Sequence, residues 1–137
     1  MSVPETKRGE GKLEVLVKAR ELATYTVKIT GNTNVFKADY YVLTNKIVGY
    51  ALDIYTKCWT ANNIRVDKDP EKAKRRLSLQ ESAAMDCNNL LSLMQIAWGV
   101  FHLKAKRIEY WGNLILETRK LIRSWCESDY KRYGHLE

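Results

Sequence analysis

Two prolines, two histidines and three cysteines are all that 137 residues hold of these types, and each scarcity narrows what the chain can be. Cys58, Cys87 and Cys126 are an odd, widely spaced set without a C-x-x-C pair, which argues against a disulfide framework and against a zinc site. Reduced thiols in a cytoplasm are expected. His102 and His135 are the only histidines, so there is no Glu-x-x-His pair for a di-iron bundle. No Gly-rich phosphate loop appears, and no Ser or Cys stands in the context of an activated nucleophile. The expectation is a protein that is not an enzyme, with no catalytic residue, metal or cofactor. No run approaches the roughly 20 apolar residues of a membrane span. The opening MSVPETKRGEGK is charged and lacks the apolar core of a signal sequence. Neither secretion nor a membrane partner is expected.

With only Pro4 and Pro70 as proline breakers, long segments carry helical rather than alternating periodicity, so the chain reads as all-α. A first helix is expected from about Lys12 to Thr30, with Val15, Leu16, Ala19, Leu22, Ala23, Thr26, Val27 and Ile29 on one arc and Gly31 to Asn34 as its stop. A second spans about Ala38 to Asn62, its stripe formed by Tyr40, Leu43, Thr44, Ile47, Ala51, Ile54, Tyr55 and Cys58. Asp69 as N-cap and Pro70 in the first helical position open a third, which runs to about His102. A fourth follows from about Lys106 to Tyr130. No Gly or Pro separates these last two. The break is expected because the apolar stripe of the third helix, carried on at 100° per residue, misses that of the fourth. Short connections make neighbours antiparallel, giving an up-down-up-down four-helix bundle over residues 12–133, behind a flexible arm of residues 1–11.

From Leu90 to Phe101 the only polar side chains are Ser92 and Gln95, so most of the third helix's circumference is apolar there. If Leu91, Met94 and Trp98 face the core, then Leu93, Ile96 and Val100 form a second apolar face that a monomer would leave in water. Burial in an oligomer interface is expected. Trp98, Trp111 and Trp125 are read as core anchors.

Charge points to a different partner. The 23 Lys and Arg outweigh 16 Asp and Glu, for a net +7 and a pI near 9.3. In the bundle, Lys72, Lys74, Arg75 and Arg76 at the start of the third helix lie near Arg65 and Lys68. Arg119, Lys120, Arg123, Lys131 and Arg132 of the fourth come to the same end, as do Lys7, Arg8 and Lys12. Acids such as Glu71, Glu127 and Asp129 dilute this end. Tyr130 and Tyr133, beside Lys131 and Arg132, are candidates for base stacking. The opposite end carries Lys104, Lys106 and Arg107.

Three stretches carry a family resemblance: TNKIVGYALDIYTKCWTANN in the second helix, RRLSLQESAAMDCNNLLSLMQIAWGVFHLKAKRIEYW across the third, and LETRKLIRSW in the fourth. The chain resembles the four-helix-bundle proteins that include the 23S rRNA intervening-sequence proteins and the accessory variability determinants of diversity-generating retroelements, over about Lys12 to Ser128. It departs from them at Phe36-Lys37, where the family often has Phe-Pro, and at Ile122, Arg123 and Ser124, where small residues often precede the final Trp. The resemblance implies a homopentameric barrel and a non-catalytic accessory role, binding the element's reverse transcriptase and its RNA or RNA–DNA hybrid. Lys72, Lys74, Arg75, Arg76, Arg119, Lys120, Arg123, Lys131 and Arg132 would hold phosphates. An intervening-sequence type RNA-binding protein and a scaffold that binds only protein are the alternatives.

Overall fold

The computed structural model describes the backbone of residues 5–136 and the side chains of residues 14–136, with four long helices and no strand among the described residues. They are α1 (Glu5–Thr30), α2 (Tyr41–Asn63), α3 (Pro70–Phe101) and α4 (Ala105–Tyr133). Short 3-10 turns at Ala38–Tyr40 and Gly134–Leu136 precede α2 and follow α4. Side-chain pairs fix the directions of the helices. Trp111, early in α4, meets Thr26, late in α1, and Tyr40, just before α2, meets Phe101 at the end of α3. Arg76, early in α3, meets Asp129, late in α4. Neighbours are therefore antiparallel, in a four-helix bundle.

Each helix boundary has a local cause. Asp69 Oδ1 accepts from the backbone N–H of Glu71 (3.0 Å) and of Lys72 (3.4 Å), which satisfies two free donors of the first turn, with Pro70 pre-set for the helix. Ahead of that cap, Asp67 and Lys68 both take left-handed φ values of 46° and 66°, and the Asp69 N–H closes the turn onto Val66 O at 2.8 Å. The α3–α4 break is made by His102, left-handed at φ 53° and ψ 47°, while the Leu103 N–H reaches back to Trp98 O at 3.4 Å. That bond pattern is a Schellman-type ending with His where Gly is usual. Leu103 is then buried and seals the corner.

Several expected boundaries move. α1 begins at Glu5, not near Lys12, and α4 continues three residues past Tyr130. The expected flexible arm thus overlaps helical backbone over residues 5–11, and its residues 1–4 lie outside the described residues. α2 starts at Tyr41 because Ala38–Tyr40 winds as a 3-10 turn.

The core runs the length of the bundle and includes Ala19 and Leu22 of α1, Ile47, Ala51 and Ile54 of α2, Cys87, Leu90 and Ala97 of α3, and Trp111, Ile115 and Ile122 of α4. Phe36, from the α1–α2 connection, closes one end with its ring 4.7 Å from that of Phe101 and 6.5 Å from Trp111. Val27 and Tyr40, expected inward, are exposed. Trp98 corrects the tryptophan reading: it is 43% exposed, because α3 presents Leu90, Met94, Ala97 and Phe101 to the core and so turns position 98 to the side. Trp111 and Trp125 are buried as expected.

Trp111 is fully buried, and its indole Nε1–H donates to Thr26 Oγ1 at 3.1 Å, so its loss removes both packing and the partner of a buried hydroxyl. Trp111→Ala is expected to destabilise the fold by about 3–5 kcal/mol in chemical denaturation. Trp98→Ala, at a half-exposed position, is expected to cost clearly less.

Candidate nucleic-acid interface

The end of the bundle where α2 stops, α3 starts and α4 finishes is organised around one buried guanidinium. Arg76 is 3% exposed. Its Nε donates to Asp129 Oδ2 at 2.7 Å and one terminal nitrogen donates to Ile64 O at 3.2 Å, just beyond α2. Its carbon centre lies 5.4 Å from the Trp125 ring and 5.8 Å from that of Tyr133, within cation–π range. Gln80 Nε2 donates to the same Asp129 oxygen at 2.6 Å. This corrects two expectations: Arg76 does not face solvent to hold a phosphate, and Asp129 does not dilute the surface charge. Burying either alone would leave an unpaired ion at low dielectric, so the two are buried together. A second acid is spent in the same way, with Asp86 accepting from Lys57 Nζ at 2.6 Å.

What this leaves outside is cationic on balance, with exposed Asp67, Glu71, Glu81 and Glu127 still among the Lys and Arg. Lys72, Lys74, Arg75, Lys120 and Arg123 are exposed and, among the described residues, take part in no ion pair, as do Arg65 and Lys68 in the adjoining loop. Lys72, Lys74 and Arg75 fan out around the start of α3, because neighbouring residues stand about 100° apart on a helix. Arg119 and Arg123, four apart, share one face of α4. Arg119 is half-buried, with one guanidinium nitrogen donating to Asn88 Oδ1 at 2.6 Å. Asn88 lies about 18 Å further along α3 than Arg76, so Arg119, expected at the start of α3, stands at mid-bundle instead. Lys131 forms an exposed i, i+4 pair with Glu127 at 3.7 Å. Such a pair contributes little and is screened by salt. Arg132 is half-buried, 5.6 Å from the Tyr133 ring.

Between α3 and α4 at this end lies an open groove of about 660 Å³, lined by residues that include Ala84, Met85, Asn88, Arg123, Cys126 and Tyr130. Glu81, Glu127 and Lys131 also border it. Tyr130 is 51% exposed and free to stack, whereas the Tyr133 ring is already covered by Arg76 and Arg132. The two tyrosines flanking Lys131 and Arg132 therefore separate into one available ring and one structural ring.

No protein-family model, curated protein or solved structure matches the chain. The site is read from its own chemistry. Burial pushes the thiols of Cys58 and Cys87 up to about 12 and that of Cys126 up to about 11, so all three are protonated at neutral pH and are poor nucleophiles there. Among the described residues no group of His, Cys, Asp or Glu is arranged to hold a metal ion, and no helix is long and apolar enough to cross a membrane.

The apolar face of α3 is divided. Leu93 is half-buried and packs against the core, while Ile96 is 52% and Val100 37% exposed, four residues apart on one flank. Sequence reasoning missed the α3–α4 groove and the Asn88 partner of Arg119, neither of which leaves a signal in periodicity. The placement of Asp129 was available: it continues the Ile122 and Trp125 stripe of α4.

Arg75 and Arg76 are adjacent in sequence and opposite in role. Arg76→Ala is expected to cost about 3–5 kcal/mol, because it strands the Asp129 carboxylate in the core. Arg75→Ala should stay within about 0.5 kcal/mol of the parent. Equal unfolding midpoints for the two variants would contradict the assignment.

Proposed function

We propose that the chain is a non-catalytic accessory protein that binds the phosphate backbone of RNA or an RNA–DNA hybrid and works as a homo-oligomer beside a reverse transcriptase, the role that its resemblance to retroelement accessory proteins implies. One observation carries the nucleic-acid part. Asp129, the acid that would otherwise face this end, is buried in an ion pair with Arg76, while the exposed Arg65, Lys68, Lys72, Lys74 and Arg75 outnumber the exposed Asp67 and Glu71 among them. Exposed, unpaired cations attract a polyanion by releasing its condensed counterions, and this requires no base-specific geometry. Tyr130, exposed between Arg123 and Lys131 on the groove, adds a stacking surface that any base can use.

The apolar side of the proposal rests on Ile96 and Val100, whose exposure at the end of α3 suits burial against another copy. Repetition of the basic end around an assembly would lengthen its field along a phosphate backbone. In this reading the polymerase does the copying, and the present chain supplies binding and placement.

The test is salt dependence. Labelled RNA and RNA–DNA hybrid should bind with weak sequence preference, and log K should fall linearly with log salt. Replacing Lys72, Lys74 and Arg75 together by Gln should lower affinity and flatten that slope by about one for each phosphate no longer neutralised, with the melting temperature unchanged. An unchanged slope in this variant would leave the chain as a protein-binding scaffold.

A further inference from the structure

α2 carries two apolar seams. One faces the core through Ile47, Ala51, Ile54, Cys58 and Ala61. The other, made by Tyr41, Asn45, Val48, Leu52, Tyr55 and Trp59, repeats with spacings of four, three, four, three and four residues. That alternation is the spacing of a helix that receives a second helix along its length. The bundle does not cover this second seam. Tyr41 is 62%, Leu52 44% and Trp59 53% exposed, with Val48 and Tyr55 half-buried. From Tyr41 to Trp59 it extends about 27 Å at 1.5 Å per residue.

On its α1 side the seam is bordered by positive charge, while on its other side Lys46 and Asp53 of α2 stand together near its start. Between α1 and α2 a groove of about 370 Å³ has Ala23, Val27, Leu52 and Tyr55 among its apolar lining residues, with Arg20 and Lys28 of α1 beside them and no carboxylate. Both cations are exposed, and neither is in an ion pair among the described residues. Eight residues apart, they stand on one edge of the groove about 12 Å apart along the axis. Arg20 and Lys28 also line the α1–α4 groove, where Glu21 stands with them.

We infer that the α1–α2 groove and the outer seam of α2 form a docking site for an acidic amphipathic helix of another protein. Apolar side chains of the incoming helix in four-three spacing pack between Val27, Leu52, Tyr55 and Trp59, and carboxylates on its flank meet Arg20 and Lys28. Asn45, the polar position in the seam, sets the register, as a single buried amide does in helical pairs. A second copy seated seam to seam is a poorer occupant, because that pairing brings the same uncompensated cations of a +7 chain together; a ring of copies would meet the seam with a different face, and the particle mass of Leu52→Glu separates that case. The site is separate from the basic end of the bundle and does not depend on nucleic-acid binding.

The test uses the full chain, labelled with nitrogen-15, and two synthetic helix-forming peptides about three heptads long. Both carry Leu in four-three spacing, one with Glu and the other with Lys at the flanking positions. The Glu peptide should shift amide signals of Thr24, Lys28 and Leu52 and the Trp59 indole, and bind at least about tenfold more tightly than the Lys peptide. Leu52→Glu should weaken it by a similar factor and leave RNA affinity alone. Arg20→Glu with Lys28→Glu, at two exposed positions, should reverse the preference, and serves if Leu52→Glu does not fold. Equal binding of both peptides, binding of neither, or shifts confined to other helices would overturn the inference. So would a fall in the particle mass of Leu52→Glu, which would assign the seam to a second copy.

Discussion

The pairing of Arg76 with Asp129 is the constraint on which the basic end of this bundle depends. A guanidinium and a carboxylate, each with under a twentieth of its side chain exposed, are tolerable only because each has the other together with further partners. Those partners come from Ile64 after α2, Gln80 in α3 and Trp125 and Tyr133 in α4, so one charge pair draws three helices together. Its value need not be net stability, since well-packed apolar groups can replace such pairs without loss. Its clear consequence is geometric. With Arg76 turned inward, Lys72, Lys74 and Arg75 are held outward on the same first turns of α3, and Asp129 is removed from the surface that they share.

The sequence made the four helices legible because their signals agree. Asp69 and Pro70 cap α3 as expected, and the clash of register between the third and fourth stripes correctly placed a break at which no glycine stands. Two side chains were misplaced for reasons visible afterwards. Lys72 to Arg76 reads as a cationic run, yet position 76 lies on the face of Ala73, Gln80, Ala83 and Cys87, all buried. Near the other end of α3, Met94 belongs equally to a stripe through Trp98 and to one through Ala97. Size favours tryptophan as the anchor, but close helix contact takes the alanine, which is fully buried. Long-range partners such as Asn88 with Arg119 arise from the crossing of two helices and have no counterpart in local spacing.

The chemistry of the surface divides along the same lines. Positive charge without ion-pair partners gathers where α3 begins and along the late part of α4, whereas exposed apolar side chains gather at the end of α3 and along the outer side of α2. The first suits a polyanion, bound loosely in sequence and strongly in salt dependence. The second suits protein, because apolar surface of this extent gains from burial whatever the salt. The proposed role, holding a nucleic acid and a polymerase together, would use both kinds of surface without overlap.

Oligomerisation links the two, since it would bury Ile96 and Val100 and repeat the basic end. The measurement that tests it most directly is the solution mass of the full chain by light scattering at micromolar concentration, alongside Ile96→Glu. The account predicts one discrete species close to five times the 15.9 kDa of a single chain, and its loss when a charge is placed at position 96. A sharp species of 15.9 kDa for the unaltered protein would contradict it.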